Sequence, residues 1–258
     1  MSNAYQTPES NLVNENQSTQ DYGSVDKALR GEYEFSIAAV LSEAWDKTSG
    51  SKWVIILSFI FYFIVAFGLI MVLGAVAASF MVAGDVATVP GEMSTDMLLI
   101  QVFIQLGMNL IILPMVMGLL MIGIRRSVDA PISAIMVFKQ FSKMIPLFLT
   151  MLLMYVMIFI GFLLLVLPGI YLSVAYYMAI PLVAEKGMSP WQALETSRKA
   201  ITHRWFSVFG LFIVLMIIIT VSTIPLGIGL IWTMPMMLIA YGILYRNMFG
   251  VEAATIAE

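Results

Sequence analysis

The sequence predicts an all-α polytopic membrane protein with six transmembrane helices in three hairpins, each hairpin preceded by a cytoplasmic interfacial amphipathic helix. The prediction depends on the composition, on six apolar segments and on the one-sided distribution of the basic residues. Of the 258 residues, 60% are hydrophobic and 11% are charged, whereas a soluble domain is roughly half apolar and a quarter charged. This composition excludes a water-soluble enzyme and a disordered chain.

The charge balance and the rare residue types exclude further classes of protein. With 13 Lys and Arg against 16 Asp and Glu, the chain has no basic surplus, and nucleic acid is not an expected partner. It has no Cys and one His, which removes disulfides and thiol chemistry and leaves little for a transition metal. No phosphate-loop or nucleophile motif occurs. We therefore expect a protein that is not an enzyme and that has no cofactor.

Polar segments flank a long apolar region. Residues 1–34 are too polar to bury a core and predict a disordered cytoplasmic tail, and 251–258 form a C-terminal tail. The membrane domain covers 35–250. About 20 residues of helix cross the roughly 30 Å of hydrocarbon in a bilayer. The apolar segments of that domain lie at about 53–82, 97–124, 145–167, 169–184, 205–224 and 229–246.

Proline and glycine divide the last four segments into pairs. Pro168 and Gly169 separate the third from the fourth, and Pro225 and Gly227 separate the fifth from the sixth. Proline restricts the residue before it, and glycine tolerates the positive φ that a turn often needs. We interpret both sites as structural turns within helical hairpins. The alternative is one bent helix at each site.

The basic residues define the orientation. In the six-span prediction all of them fall on one side, and the other side has two short turns and the loop 83–96, which contains Asp85, Glu92 and Asp96. Because Lys and Arg in short loops remain in the cytoplasm, both termini are predicted to be cytoplasmic. The basic residues are Lys27, Arg30, Lys47, Lys52, Arg125, Arg126, Lys139, Lys143, Lys186, Arg198, Lys199, Arg204 and Arg246.

A helical but less apolar stretch precedes the first, third and fifth segments. The three stretches cover 35–45, 131–141 and 189–201. With the spans that follow, they predict three repeat units, at about 35–126, 131–187 and 189–249. Repeats of one topology are related by an axis along the membrane normal, which is a less common arrangement for an alternating-access transporter than inverted repeats.

The third of these stretches shows the clearest amphipathic pattern. Ala193, Leu194 and Ile201 share one side of the predicted helix, with the period of a helix at a membrane surface. Packing of this side on the ends of the spans is the alternative. Four cations of the second and third stretches are expected near anionic lipid headgroups, at lipid-surface helices. These cations are Lys139, Lys143, Arg198 and Lys199.

Gln101, Gln105 and Asn109 recur every four residues of the second segment and form a candidate polar face. An amide in hydrocarbon needs a hydrogen-bond partner. One interpretation is interhelical hydrogen bonding, worth roughly 0.6–2 kcal/mol each. The other is a groove for a lipid headgroup, a small solute or water. Gly74 and Ala78 in the first segment permit close helix packing, either inside one chain or between copies.

The stretches 166–172 (Val-Leu-Pro-Gly-Ile-Tyr-Leu), 179–187 (Ala-Ile-Pro-Leu-Val-Ala-Glu-Lys-Gly) and 191–198 resemble a pattern of the YciC-like bacterial inner-membrane proteins. They also resemble the membrane domain of some glycerophosphodiester phosphodiesterases. The resemblance covers roughly 160–250. It implies a six-span protein of the bacterial inner membrane in envelope or lipid homeostasis, and it transfers no catalytic residues.

The leading functional hypothesis is therefore a non-enzymatic inner-membrane protein that acts in envelope or lipid homeostasis through membrane-surface amphipathic helices. The expected partners are membrane lipids, a second copy of the chain or another envelope membrane protein. The alternative is a passive transporter or channel for a small solute or lipid, with the Gln101 face along its path.

Overall fold

The computed structural model describes residues 22–83 and 95–257, and every regular element in these ranges is a helix. The predicted outer loop with Asp85 and Glu92 lies almost entirely outside the described residues. In chain order the helices are α1 (Val25–Arg30), α2 (Ile37–Thr48), α3 (Lys52–Ala83), α4 (Thr95–Ser127), a 3-10 helix (Ala134–Lys143), α5 (Met144–Leu164), α6 (Val166–Ala175), α7 (Ala179–Lys186), α8 (Pro190–Thr202), α9 (Trp205–Thr223), α10 (Leu230–Phe249) and α11 (Ala253–Ala257).

Five segments in the described part of the chain are long and apolar enough to cross a membrane, which fits a multi-pass membrane protein. Few of the side chains on α3, α5 and α9 are buried, as expected for helices that face lipid. The five segments are Lys52–Ser79, Leu98–Ser127, Ala134–Leu164, Val166–Lys186 and Trp205–Thr223.

The sixth predicted span forms α10, but it is not among these five. Polar and aromatic residues such as Thr233, Tyr241 and Arg246 lower its hydropathy. The rest of the chain surrounds α10, and most residues from Thr233 to Phe249 are buried. A helix that is enclosed by protein does not need a lipid-facing apolar surface.

Helix α10 crosses α4 at very close range. Both helices run in the same direction, because Gly242 lies against Gly123 and, one turn later, Arg246 donates to the carbonyl of Ser127. Arg125 is also buried here. We call the region around the C-terminal turns of α4 and α10 the basic end.

Both ends of the described chain pack on the basic end. Ser24 caps α1, where Ala28 is fully buried. Tyr33 is also buried, and its hydroxyl donates to the carbonyl of Ala200. Residues 22–34, which belong to the predicted tail 1–34, thus have tertiary contacts that their polar composition does not reveal. The expected tail 251–258 likewise contains α11, in which Thr255 is buried.

The three predicted amphipathic stretches all form helices, as α2, the 3-10 helix and α8. The apolar side of α8 packs inside the protein, where Ala193, Leu194 and Ile201 are 0–2% exposed. This corresponds to the alternative of packing on neighbouring helices. The repeat is not exact, because Ala193 is buried whereas the corresponding Ala39 of α2 is exposed.

The predicted turn residues occupy two different environments. Between α5 and α6 the helix is interrupted at Leu165, and Pro168 and Gly169 lie inside the first turns of α6. Proline is tolerated there because the first N–H groups of a helix have no intrahelical acceptor. Pro225 and Gly227 lie in the connection between α9 and α10, where Gly227 has a φ of 77°.

Candidate functional site: a broken helix beside an apolar groove

The fourth apolar segment is a broken helix. α6 ends at Ala175 and α7 begins at Ala179, so backbone groups between them lack helical partners. Ser197 of α8 supplies two of the missing hydrogen bonds. Its hydroxyl donates to the carbonyl of Ala175 at 2.7 Å and accepts from the N–H of Met178 at 3.1 Å. Ser197 is fully buried, so the break is stabilised by hydrogen bonds inside the protein.

Both ends of this segment approach the basic end. At the α6 side, the Tyr171 hydroxyl lies 2.6 Å from the Thr202 hydroxyl. The backbone carbonyl of Tyr171 accepts from the indole N–H of Trp205. At the α7 side, Glu185 accepts from the hydroxyl of Tyr245 at 2.9 Å. Since Tyr171 pairs with Thr202 while Ala175 pairs with Ser197, α6–α7 runs antiparallel to α8. The segment expected to cross straight at 169–184 is thus interrupted beside the middle of α8.

An apolar groove of about 460 Å³ adjoins the break. It lies between α6, α9 and α10, and its walls include Phe212, Met216 and Met237. Tyr177 and Tyr241 stand at its inner wall with their rings 5.2 Å apart. The Tyr241 hydroxyl donates to the carbonyl of Tyr177 at 3.3 Å. A third side-chain hydrogen bond at the break therefore comes from the groove wall.

The groove is open to the surroundings on the α9 side. Met216 is 65% exposed, and Ile213 and Tyr177 are about 40% exposed. α9, which forms this side of the groove, is apolar enough to cross a membrane. The site can accept a flexible apolar chain, because Met side chains adapt to irregular shapes. The Tyr177 and Ser173 hydroxyls near the break are the polar groups available to such a ligand.

The predicted amide face lies elsewhere. Gln101 and Gln105 are exposed on α4, and the Asn109 amide donates to the Gln105 carbonyl of its own helix at 2.8 Å. Gln101 is about 36 Å from Arg125 along the helix, at 1.5 Å per residue. The face therefore lies toward the end of α4 that is remote from Arg125. The small residues Gly74 and Ala78 are likewise exposed.

The four predicted lipid-surface cations have varied environments. The Lys143 ammonium donates to the carbonyl of Ala184, and Lys139 is exposed on the 3-10 helix. Arg198 makes two hydrogen bonds to Glu195, at 2.8 and 3.0 Å, and Lys199 lies 3.3 Å from the same carboxylate. On α8 the two cations thus share one carboxylate.

The ion pair of Glu195 and Arg198 on α8 shifts the pKa of both groups. Hydrogen bonds from Arg198 hold the pKa of Glu195 below its ordinary value, and the same pair raises the pKa of Arg198. Both groups remain charged at neutral pH. The pair orders the outer side of α8 without providing a proton donor or acceptor for chemistry.

Three members of the site were not singled out by the sequence analysis. Ser197 resembles any small polar residue on an amphipathic helix, and only the tertiary structure brings it to the break. Tyr177 and Tyr241 are two of ten tyrosines in the chain, and only the fold brings their rings together. The remaining signal in the sequence is Pro181, which follows the break and disfavours a helix continuing through it.

Comparison of the chain with protein-family models, with curated proteins and with solved structures finds no match. The resemblance to the YciC-like proteins therefore stays a hypothesis that depends on the quoted residues alone.

Proposed function

We propose that this protein binds an acyl chain of a membrane lipid in the groove between α6, α9 and α10, and that it acts without catalysis in envelope or lipid homeostasis. The observation that supports the proposal most directly is the lateral opening. Phe212, Met216 and Met237 form an apolar trough, and the exposed Met216 stands at its lipid-facing rim. An acyl chain is the apolar ligand that a bilayer supplies at such an opening.

The groove is of suitable size for part of a lipid. About 460 Å³ is within the usual range of 300–1,000 Å³ for small-molecule sites. Most of the residues that line the groove are apolar, so a chain that enters tail first keeps its methylene groups against Phe and Met side chains. The Tyr177 hydroxyl then lies within the groove for an ester or hydroxyl group of the ligand.

The localisation and topology are part of the same proposal. The protein belongs in the bacterial inner membrane, with the basic end and both termini in the cytoplasm. In this view the chain crosses the membrane six times, with the broken helix α6–α7 as the fourth crossing. The supporting observation is the concentration of buried Arg125 and Arg246 at one end of the bundle, where the positive-inside rule locates the cytoplasm.

The amphipathic helices contribute to lipid contact through apolar side chains. Each of the three has one large residue on its open surface: Trp45 of α2, Ile135 of the 3-10 helix and Trp191 of α8 are 54–67% exposed. Trp side chains favour the boundary between headgroups and hydrocarbon. These residues, more than the paired cations of α8, support membrane-surface helices.

The groove is tested with a lipid that carries a photoactivatable group on its acyl chain. In bilayers, labelling should concentrate on peptides of α6 and α9 and should fall at least fivefold in Met216→Trp, where the larger ring fills the opening. Met71→Trp is the matched control, because Met71 is equally exposed on α3 and lies outside the groove. Equal labelling of α3 and α9, or no effect of Met216→Trp, contradicts the proposal.

A second candidate is passive transfer of lipid, the alternative named above. The break itself favours this function. The hydrogen bonds that Ser197 makes there can be broken and remade during a movement more easily than the backbone hydrogen bonds of a continuous helix. Reconstituted protein would then speed the passage of a fluorescent lipid between leaflets. Binding in the groove without faster passage supports the first function and contradicts the second.

A further inference from the structure

The groove between α6, α9 and α10 contains a phenol hydroxyl without a hydrogen-bond partner. The ring of Tyr177 contacts two other rings of the groove wall, with centroid distances of 4.1 Å to Phe212 and 5.2 Å to Tyr241. The Tyr241 hydroxyl is already used, because it donates to the backbone carbonyl of Tyr177. The Tyr177 hydroxyl, by contrast, forms no hydrogen bond with any residue that the structure describes.

An unpaired hydroxyl in this position indicates a ligand. Tyrosine hydroxyls in apolar surroundings usually have a partner, since removing a polar group from water without a compensating hydrogen bond is unfavourable. Tyr177 is 42% exposed, and the residues around it in the groove are mostly apolar. A group that enters the groove can therefore reach Tyr177 and accept from its hydroxyl.

Ser173 supplies the complementary hydrogen-bonding capacity. It precedes Tyr177 by four residues and also lines the groove. Its hydroxyl donates to the carbonyl of Ile170 at 2.8 Å, so its proton is used and its oxygen is still able to accept. The groove thus offers one donor and one acceptor, which a ligand with a carbonyl oxygen and a free hydroxyl would satisfy.

The groove offers no counter-ion for a charged headgroup. None of the residues that line it in the described part of the chain is charged. Arg198 and Lys199 of α8 lie outside this lining and share the carboxylate of Glu195. Moving a phosphate or an ammonium group into an uncharged groove costs far more than moving a hydroxyl or an ester. The groove therefore favours a lipid without a charged headgroup.

The position of Tyr177 along the groove supports the same conclusion. Its neighbour Phe212 follows Trp205, the first residue of α9, by about 10 Å of helix at 1.5 Å per residue. A phospholipid that placed its glycerol esters beside Tyr177 would have to draw its phosphate into the apolar part of the groove. A glycerol group without a phosphate avoids this penalty.

We propose that the groove is selective for a neutral diglyceride. An ester carbonyl of diacylglycerol accepts from the Tyr177 hydroxyl, the free hydroxyl donates to the Ser173 oxygen, and an acyl chain lies against Phe212, Met216 and Met237. This inference rests on the proposed acyl-chain function and adds the class of lipid that the groove prefers.

The test uses three photoactivatable lipids that carry the same acyl chains and differ only in the headgroup. Diacylglycerol, phosphatidic acid and phosphatidylcholine are each added at the same mole fraction to bilayers that contain the full-length protein. The labelling yield on α9 peptides is divided by the yield on α3 peptides, which corrects for differences in partitioning between the lipids. We expect this labelling ratio to be about fivefold higher for diacylglycerol than for either phospholipid.

Tyr177→Phe isolates the contribution of the hydroxyl. The variant keeps the ring contacts and the backbone carbonyl that accepts from Tyr241, so it should fold. Its labelling ratio for diacylglycerol should fall about fivefold, while the ratios for the two phospholipids should not change. Tyr155→Phe is the matched control, because Tyr155 is 53% exposed on α5 and lies outside the groove lining, and it should leave all three ratios unchanged.

Three results would overturn the inference. Equal labelling ratios for the three lipids with the unaltered protein would exclude a preference for diacylglycerol, whether or not any variant folds. An unchanged diacylglycerol ratio in Tyr177→Phe would exclude the hydroxyl as the selective group. A higher ratio for phosphatidic acid than for diacylglycerol would indicate that cations outside the groove lining bind a phosphate headgroup.

Failure of this inference can be distinguished from failure of the acyl-chain groove. If Met216→Trp lowers the labelling ratios of all three lipids while diacylglycerol has no advantage, the groove binds acyl chains and the selectivity is wrong. If no lipid labels α9 more than α3, the acyl-chain groove itself is wrong, and the selectivity with it.

Discussion

Gly242 of α10 lies so close to Gly123 of α4 that a Cβ atom on Gly242 would stand 2.2 Å from the Gly123 carbonyl oxygen. A Cβ on Gly123 would meet the carbonyl oxygen of Leu238 at 2.1 Å. The two backbones therefore touch without intervening side chains, as small residues allow in membrane helix pairs. This contact fixes α10 in the centre of the protein, where it forms a wall of the groove.

Gly242→Ala should separate the two helices. The added methyl group meets backbone rather than a flexible side chain, so the strain cannot be relieved by a rotamer change. We expect a loss of about 3 kcal/mol or more in apparent stability, measured as thermal unfolding in detergent. Gly107→Ala is the control, because a Cβ at Gly107 meets nothing within 4 Å. Unfolding of both variants at the same temperature would contradict the backbone contact between α4 and α10.

Ser197→Ala should weaken the helix break. It removes the donor for the Ala175 carbonyl and the acceptor for the Met178 N–H, both inside the protein. Two unpaired backbone groups should cost on the order of 2–4 kcal/mol. Ser173→Ala on the exposed side of α6, where the hydroxyl bonds only to the Ile170 carbonyl, should have little effect. Hydrogen exchange at 175–179 would increase in Ser197→Ala alone.

Gln105→Leu distinguishes the interpretations of the amide face. In a single chain the Gln105 side chain is exposed, so the variant should fold with unchanged stability, within about 0.5 kcal/mol. Its effect should instead appear in association between copies, measured by crosslinking in bilayers at several protein densities. A large loss of monomer stability would show that the amide has a partner within its own chain.

Glu43→Gln should lower the stability of the protein, because it leaves the buried Arg246 guanidinium without its carboxylate partner. Arg246 is buried and makes two hydrogen bonds to Glu43, at 2.7 and 2.9 Å, which join α2 to α10. Removal of the negative charge should cost on the order of 1–3 kcal/mol. Glu32→Gln disrupts the Arg30–Glu32 pair, whose side chains are more than half exposed, and should not change the unfolding temperature. Similar effects of the two variants would argue against the burial of Arg246.

The sequence was informative where local composition determines structure. Long apolar runs predicted α3, α4, α5 and α9, since 20 or more consecutive apolar residues have few alternatives to a membrane helix. The predicted amphipathic stretch 189–201 corresponds to α8, which has Pro190 at its first position. These features depend on neighbours in the chain and are visible without tertiary contacts.

The path of the fourth segment could not be predicted in the same way. Its hydropathy fits a straight span, but the break at 176–178 depends on Ser197, which is about 20 residues away in the sequence. The burial of Arg125 also has no local signal, because its acceptors are the carbonyls of Pro131 and Thr255. Long-range hydrogen bonds between backbone and side chain leave no periodicity in the sequence.

Alkaline pH should destabilise the packing of the N-terminal segment through Tyr33. Burial raises the pKa of the Tyr33 phenol from 10 to about 12, and its hydroxyl donates to the Ala200 carbonyl at 2.9 Å. Because the folded pKa lies above the unfolded value, the contribution to stability is fully present below pH 10. It decreases as pH rises from 10 to 12, where the unfolded chain already releases the proton.

The loss over this interval should be at most about 2 kcal/mol. Tyr33→Phe removes both the proton and the hydrogen bond, so it should be less stable at pH 8 by about 1 kcal/mol but should lose less on going to pH 12. The difference between the two unfolding curves isolates Tyr33 from the other tyrosines, which ionise in both proteins. Parallel curves for the two proteins from pH 8 to 12 would place the Tyr33 hydroxyl in solvent rather than against Ala200.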